Sequence, residues 1–150
     1  MDNQKNLQQQ LNRYALGVEY DGSEFCGWQM QKGVATVQQT LETAISAVAN
    51  HSVRTTTAGR TDTGVHASGQ VVHFDTPVSR QINSWIKGVN SNLPSSVAVT
   101  WARLVPSDFH ARFSVIGRTY RYIIFCRKVS PAILSRKVTW TYLDLDENLM

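Results

Sequence analysis

The chain has 150 residues, of which 42% are hydrophobic and 17% are charged, and its formal net charge is +4. A chain of this length can bury a core, and its low charge and ample apolar content exclude a disordered polymer. No apolar run of about 18 residues is present, so we predict no transmembrane helix. Residues 1–12 are rich in Gln and Asn and lack the apolar segment of a signal peptide, so we expect a flexible tail.

Two cysteines and four histidines limit the redox and metal chemistry of the chain. Cys26 and Cys126 lie far apart, and without a secretory signal we expect them to be reduced thiols of a cytoplasmic protein. The histidines follow no zinc-ligand spacing and the sequence contains no Cys-x-x-Cys, so we predict no metal site.

Charge is unevenly distributed along the chain. Residues 1–75 hold five basic and seven acidic side chains, whereas residues 76–143 hold ten basic side chains and a single acid, Asp108. Tyr and Phe accompany the arginines of this second segment, which is the mixture used to bind phosphates and to stack on bases. The pattern favours an anionic polymer as partner, with a solvated basic surface as the alternative.

Residues 13–107 are predicted to form an α+β domain. Side-chain alternation predicts strands and helical spacing predicts helices, one of them preceded by a capping-box pattern at Thr36. The predicted elements are a strand (13–20), a helix (37–50), two strands (52–58 and 70–75), a helix (79–89) and a strand (97–105). This β-α-β-β-α-β order is typical of a ferredoxin-like antiparallel sheet with two helices on one face.

Residues 108–150 contain the beginning of further structure. Strands are predicted over residues 118–127 and 138–142, and the acidic residues from Asp144 onwards resemble the first turn of a helix. Because two strands and an unfinished helix lack partners, we expect the opening of a second, truncated α/β domain.

The loop between the second and third predicted strands is the strongest candidate for chemistry. It places Arg60 and Asp62 two residues apart between glycines, an arrangement that keeps a carboxylate ionised and oriented. The alternative is an Asx-type turn in which the Asp62 side chain caps backbone amides. No second carboxylate lies nearby for a glycosidase, and neither a serine nucleophile elbow nor a phosphate-binding Gly-Lys-Ser/Thr loop is present.

The residues of this loop, 59–67, resemble the active-site motif of the tRNA pseudouridine synthase A family. Four further blocks match this family in the same order along the chain. The blocks are Tyr20-Asp21-Gly22 with Gly27-Trp28-Gln29-x-Gln31, residues 88–94, residues 108–114 and residues 118–122. Five ordered blocks over residues 13–143 make a chance resemblance very improbable.

The resemblance implies roles for particular residues. Asp62 matches the catalytic aspartate of the family, Arg60 the arginine that assists flipping of the target nucleotide, and Tyr120 the tyrosine that stacks on the target base. A packing role for Tyr120 within a strand is the alternative. Arg112, Arg118 and Arg121 are candidates for RNA contacts.

The resemblance also implies a substrate and an assembly. Family members convert uridines of the tRNA anticodon arm to pseudouridine, use no cofactor or metal, and form homodimers in which each tRNA touches both subunits. They continue into a second domain that closes the cleft, so the resemblance leaves open whether 150 residues are active alone. The rival interpretation is a non-catalytic RNA-binding module of ferredoxin-like type, which has no need of the Asp–Arg pair.

Overall fold

A computed structural model of the protein describes residues 11–150. The first ten residues of the expected tail lie outside the described part of the chain. The tail prediction is wrong at its last residue, because the first strand begins at Asn12. The described residues form two compact units, which divide between Val115 and Ile116.

The first unit contains four strands and two α-helices in the predicted order, so the α+β class is confirmed. Its elements are β1 (Asn12–Tyr20), α1 (Val37–Ala49), β2 (Thr56–Thr57), β3 (Ala67–Thr76), α2 (Ile82–Ser91) and β4 (Val97–Val105). The strands form one sheet in the order β2-β3-β1-β4, with antiparallel neighbours throughout. Strands β1 and β4 and helix α1 agree with the sequence patterns. Strand β3 begins three residues earlier than predicted, and α2 begins three residues later and ends two residues later.

One face of the sheet carries the hydrophobic core. Tyr14, Leu16 and Val18 alternate along β1 and are buried together with residues of both helices. The Trp85 ring of α2 packs against Tyr14 and Phe74, with ring centroids 5.2 Å apart in both pairs. The strand predicted from the period-two pattern of β1 is therefore confirmed, because alternate side chains of a strand point to the same face.

Helix α1 begins without the predicted capping box. Thr36 is extended, and its side chain makes no cap hydrogen bond. Instead, the first free amides of the helix donate to main-chain oxygens of a distant loop, Val37 to Gly27 (3.2 Å) and Gln38 to Trp28 (3.0 Å). These bonds satisfy donors that a capping side chain would otherwise serve.

Strand β2 is much shorter than the predicted strand over residues 52–58. The amide of Val53 donates to the Ser46 hydroxyl at 2.9 Å, and the amide of Thr55 donates to a carboxylate oxygen of Glu42 at 2.8 Å. Both acceptors belong to α1. Because these amides are bound by helix side chains, residues 52–55 do not join the strand ladder.

The opposite face of the sheet is partly covered by the segment that follows β4. Arg13 donates two hydrogen bonds to the carboxylate of Asp75 (both 2.7 Å) and two to the carbonyls of Ser107 and Phe109. The amide of the buried Ala111 donates to Nδ1 of His73 at 3.1 Å. These contacts place the segment after residue 107 with the first unit, eight residues beyond the boundary expected from the sequence.

The second unit contains a pair of short parallel strands, β5 (Ile124–Cys126) and β6 (Thr139–Thr141). Both are shorter than the predicted strands over residues 118–127 and 138–142. The predicted start of a helix is a single 3-10 turn over Glu147–Leu149. Among the described residues of the whole chain, no helix has the length and apolar character needed to cross a membrane.

The buried His73 gives the first unit a pH dependence of stability. Burial lowers the pKa of His73, the positive charges of Arg13 and His110 lower it further, and Asp75 opposes them. Since the pKa in the folded state lies below that of the unfolded chain, the unfolded state binds more protons in the interval between the two values. Stability is therefore complete above the ordinary histidine value and falls as the pH drops through this interval.

We predict that His73→Asn reduces this pH dependence, because Asn retains an acceptor for the Ala111 amide but does not titrate. Urea unfolding of both proteins at about pH 7.5 and about pH 5.5 measures the effect. The wild type should lose more stability than the variant between these pH values. Equal losses in the two proteins would contradict the role given to His73.

Candidate active site

The segment between β2 and β3, residues 59–66 and hereafter the Asp62 loop, is held at its start by strand β3. The amide of Ala58 donates to the carbonyl of Val71 at 2.8 Å. The carbonyl of Gly59 accepts hydrogen bonds from the side chains of Gln70 (2.6 Å) and Thr57 (3.2 Å). The loop therefore leaves the sheet in a defined direction.

A second segment, residues 21–28 and hereafter the 21–28 loop, holds the Asp62 loop on both sides of Asp62. The amide of Trp28 donates to the carbonyl of Thr61 at 2.9 Å, and the amide of Gly64 donates to the carbonyl of Phe25 at 3.3 Å. The Thr61 hydroxyl also lies 2.7 Å from the hydroxyl of Tyr20, which is buried at the end of β1. Asp62 thus has anchored residues immediately before it and two positions after it.

Two glycines permit this close approach of the loops. A Cβ atom on Gly22 would lie 2.0 Å from the carbonyl oxygen of Val65, and one on Gly27 would lie 2.7 Å from that of Thr61. Gly27 also has a φ of 79°, which L side chains rarely adopt. No other residue type fits at these positions without moving the Asp62 loop.

The side chain of Asp62 is exposed. Within residues 11–150, its carboxylate accepts no hydrogen bond and forms no ion pair, while its main-chain carbonyl accepts the amide of Val65 at 3.2 Å. The alternative in which the carboxylate caps backbone amides is therefore not observed. The turn is made by the main chain, with Gly64 at a φ of 78°.

The expected pairing of Arg60 with Asp62 is also not observed. Both side chains are exposed, and no ion pair joins them in the part of the chain that the structure describes. The two residues share one loop, but the orientation of Asp62 comes from the main-chain hydrogen bonds on either side of it. The sequence argument for orientation by the guanidinium was wrong in this respect.

The remaining candidates lie elsewhere in the chain. Arg112 is an exposed residue of the first unit, with its guanidinium carbon 5.8 Å from the centroid of the Phe113 ring. Arg118, Arg121 and Tyr120 belong to the second unit and are exposed, with 69% of Tyr120 accessible. Tyr120 precedes β5 and is exposed, so its alternative role, packing within a strand, is not observed.

Sequence reasoning missed the partners of the Asp62 loop. Nδ1 of His66 lies 3.1 Å from the amide nitrogen of Gly22 and 3.0 Å from Oδ1 of Asp21. The sequence gives only an indirect indication of this contact. Tyr20, Asp21 and Gly22 belong to one family-like block, and His66 belongs to the family-like motif at residues 59–67. Among the described residues, no cluster of three or more His, Cys, Asp or Glu side chains is arranged to hold a metal ion.

The site therefore presents one accessible carboxylate on a main-chain loop that is fixed on both sides. A group in this state can act as a nucleophile or as a base toward a ligand that arrives from solvent. Residues 17–114, which include this loop and its anchors, match the family described as tRNA pseudouridine synthase. The chain belongs to that family.

Curated relatives extend the match beyond these residues. The chain is 56% identical over 138 residues to the tRNA pseudouridine synthase A of Shewanella frigidimarina, covering 92% of this chain and 53% of that protein. It is 54% identical to the Pasteurella multocida synthase, with 92% and 52% covered, and 56% identical to that of Alcanivorax borkumensis, with 91% and 51% covered. The chain spans about half the length of these relatives.

We predict that Gly22→Ala destabilises this synthase-family chain by about 1–3 kcal/mol, because the added Cβ displaces the main chain at Val65. Gly69→Ala is the matched control, since a Cβ there meets no atom within 4 Å. Urea unfolding of the two variants and the wild type measures the difference. Equal stabilities for the two variants would show that the loops do not approach as closely as described.

Proposed function

We propose that this chain carries the catalytic aspartate of a tRNA pseudouridine synthase, and that Asp62 is that residue. The observation that supports the proposal is the accessible carboxylate of Asp62, which no described residue pairs with, between two anchored main-chain positions. Membership of the synthase family supplies the reaction and the substrate class. The relatives from Shewanella frigidimarina and Pasteurella multocida, both tRNA pseudouridine synthase A by name, agree with this reaction.

The reaction requires little beyond such a group. Uracil is detached from C1′ of the ribose, is turned, and is rejoined through C5, whose proton leaves to solvent while N1 gains one. The change is an isomerisation, so no oxidant and no second substrate enters the balance. The Asp62 carboxylate serves this reaction by attacking C1′, by adding to C6 of the base, or by removing the C2′ proton to give a glycal.

Arg60 and Tyr120 are proposed to act on the flipped nucleotide. The target uridine must leave its stack, which costs a few kcal/mol. The exposed Arg60, two residues before Asp62, can hold a phosphate beside the carboxylate. The accessible ring of Tyr120 can stack on the base, which is worth about 1–3 kcal/mol.

The wider features of the assignment are proposals as well. Arg112, Arg118 and Arg121 are exposed cations suited to phosphate contacts. The anticodon arm as target and a homodimeric assembly follow from the family resemblance, and a cytoplasmic location is in keeping with two widely spaced cysteines. We also propose that the first unit has ferredoxin-like topology, which the strand order β2-β3-β1-β4 supports, and that the second unit opens a further domain.

The non-catalytic alternative, an RNA-binding module that uses its sheet as a stacking platform, is less well supported. Such a module needs an open sheet face with accessible aromatic side chains. Here the face opposite the helices is partly covered, since Ala111 packs against His73 and Arg13 binds the carbonyls of Ser107 and Phe109. An accessible carboxylate on an anchored loop also has no role in stacking.

We predict that Asp62→Asn lowers the rate of tritium release from tRNA carrying 5-tritiated uridine by at least about 10³-fold, because the amide is neither nucleophile nor base. Binding of tRNA should change by less than about threefold. The assay is made with this chain and with a fusion that adds the remaining half of the Shewanella frigidimarina relative. Substantial turnover by the variant, or none by either wild-type protein, would overturn the proposal.

Arg60→Lys is predicted to lower kcat by at least about tenfold, because the ammonium keeps the charge but loses the planar, bidentate guanidinium. Arg80→Lys is the control, since Arg80 is also an exposed arginine of the first unit and has no part in the proposed site. Steady-state assays of the fusion compare the two substitutions. A similar kcat for both variants would remove Arg60 from the proposed role.

A further inference from the structure

One contact between the two loops uses side chains to which the proposed chemistry gives no part. Nδ1 of His66 lies 3.1 Å from the Gly22 amide and 3.0 Å from Oδ1 of Asp21. A proton on Nε2 alone makes Nδ1 an acceptor for the amide, and a proton on Nδ1 makes it a donor to the carboxylate. In either state the imidazole ties the end of the Asp62 loop to the 21–28 loop.

The anchor that His66 meets is itself fixed. Asp21 is the N-cap of a 3-10 turn over Gly22–Glu24, and its carboxylate accepts hydrogen bonds from the amide (3.0 Å) and the hydroxyl (2.6 Å) of Ser23. The amide of Asp21 donates to the carbonyl of Ser96 at 2.8 Å. His66 therefore contacts a turn that cannot easily follow it if the Asp62 loop moves.

The position of His66 in the chain connects this contact to Asp62. His66 follows Val65, whose amide closes the turn on the carbonyl of Asp62 at 3.2 Å. The Val65 carbonyl also lies where a Cβ on Gly22 would stand. A displacement of His66 is consequently passed to Asp62 through one tight turn.

We propose that His66 is a positioning residue, which holds the Asp62 carboxylate in its reactive place by binding the Asp21–Gly22 turn. The inference rests on the proposed function, since it concerns the geometry of the catalytic carboxylate. It assigns His66 no contact with RNA. A displacement of about 1 Å in a catalytic group can cost about 100-fold in rate, so such a residue matters to kcat without touching substrate.

Two substitutions separate positioning from other roles. In His66→Asn the side-chain amide reaches the place of Nδ1, where it can accept from Gly22 through its oxygen or donate to Asp21 through its nitrogen. His66→Leu has similar bulk but offers neither group. We expect His66→Leu to lower kcat by about 10- to 100-fold with little change in KM, and His66→Asn to restore kcat to within about fivefold of the wild type.

A second measurement follows the contact without any catalysis. Hydrogen exchange of the Gly22 amide, observed by NMR in the 150-residue chain, should be faster in His66→Leu than in the wild type and in His66→Asn. Equal exchange in all three proteins would show that His66 does not hold the turn, and would overturn the inference. Thermal unfolding of the variants reports whether a change in kcat merely follows loss of fold.

The outcomes also distinguish this inference from the proposed function. An inactive Asp62→Asn with a fully active His66→Leu would refute the positioning role and leave the catalytic assignment standing. An active Asp62→Asn variant would refute the catalytic role of Asp62. The positioning role of His66 would then be refuted as well, because it depends on that carboxylate. Equal kcat losses in His66→Leu and His66→Asn would show that the imidazole acts in another way than by this contact.

Discussion

Main-chain hydrogen bonds between two loops are the constraint on which the candidate site depends. The 21–28 loop binds Thr61 and Gly64, so the main chain is fixed on both sides of Asp62 while its carboxylate stays accessible. Among residues 11–150, no hydrogen bond uses the carboxylate oxygens of Asp62, since the turn is closed through its main-chain carbonyl, and the side chain is thus available for chemistry. Preorganisation of this kind lets a lone carboxylate face a substrate without first rearranging.

Much of the fold could be predicted from the sequence because it depends on periodicity. The alternation along β1 and the helical spacing of α1 each report a single buried face, and burial is what fixes these elements. The predictions fail where the local structure is determined by a hydrogen-bond partner elsewhere in the chain. Ser46 binds the amide of Val53 and Glu42 binds that of Thr55, and the carbonyls of Gly27 and Trp28 replace the capping box of Thr36.

The candidate site was predictable as a location but not as a geometry. Arg60 and Asp62 were identified by residue type and by the resemblance of residues 59–67 to a family motif, whereas the close approach at Gly22 and Gly27 is known only from the structure. Hydrogen bonds between main chains carry no residue signature, so the docking of the loops could not be derived. The predicted Arg60–Asp62 pair was plausible from spacing, but two exposed side chains in water gain little from pairing.

Trp28 links this site to the hydrophobic core. Its amide binds Thr61 of the Asp62 loop, its carbonyl binds the Gln38 amide of α1, and its indole ring is buried against Tyr20. Trp28 therefore binds both the first turn of α1 and the Asp62 loop. Because both depend on this residue, we expect the helix start and the loop to unfold together as one cooperative unit. Substitutions that loosen the packing around the Trp28 indole should therefore also change the position of the Asp62 loop.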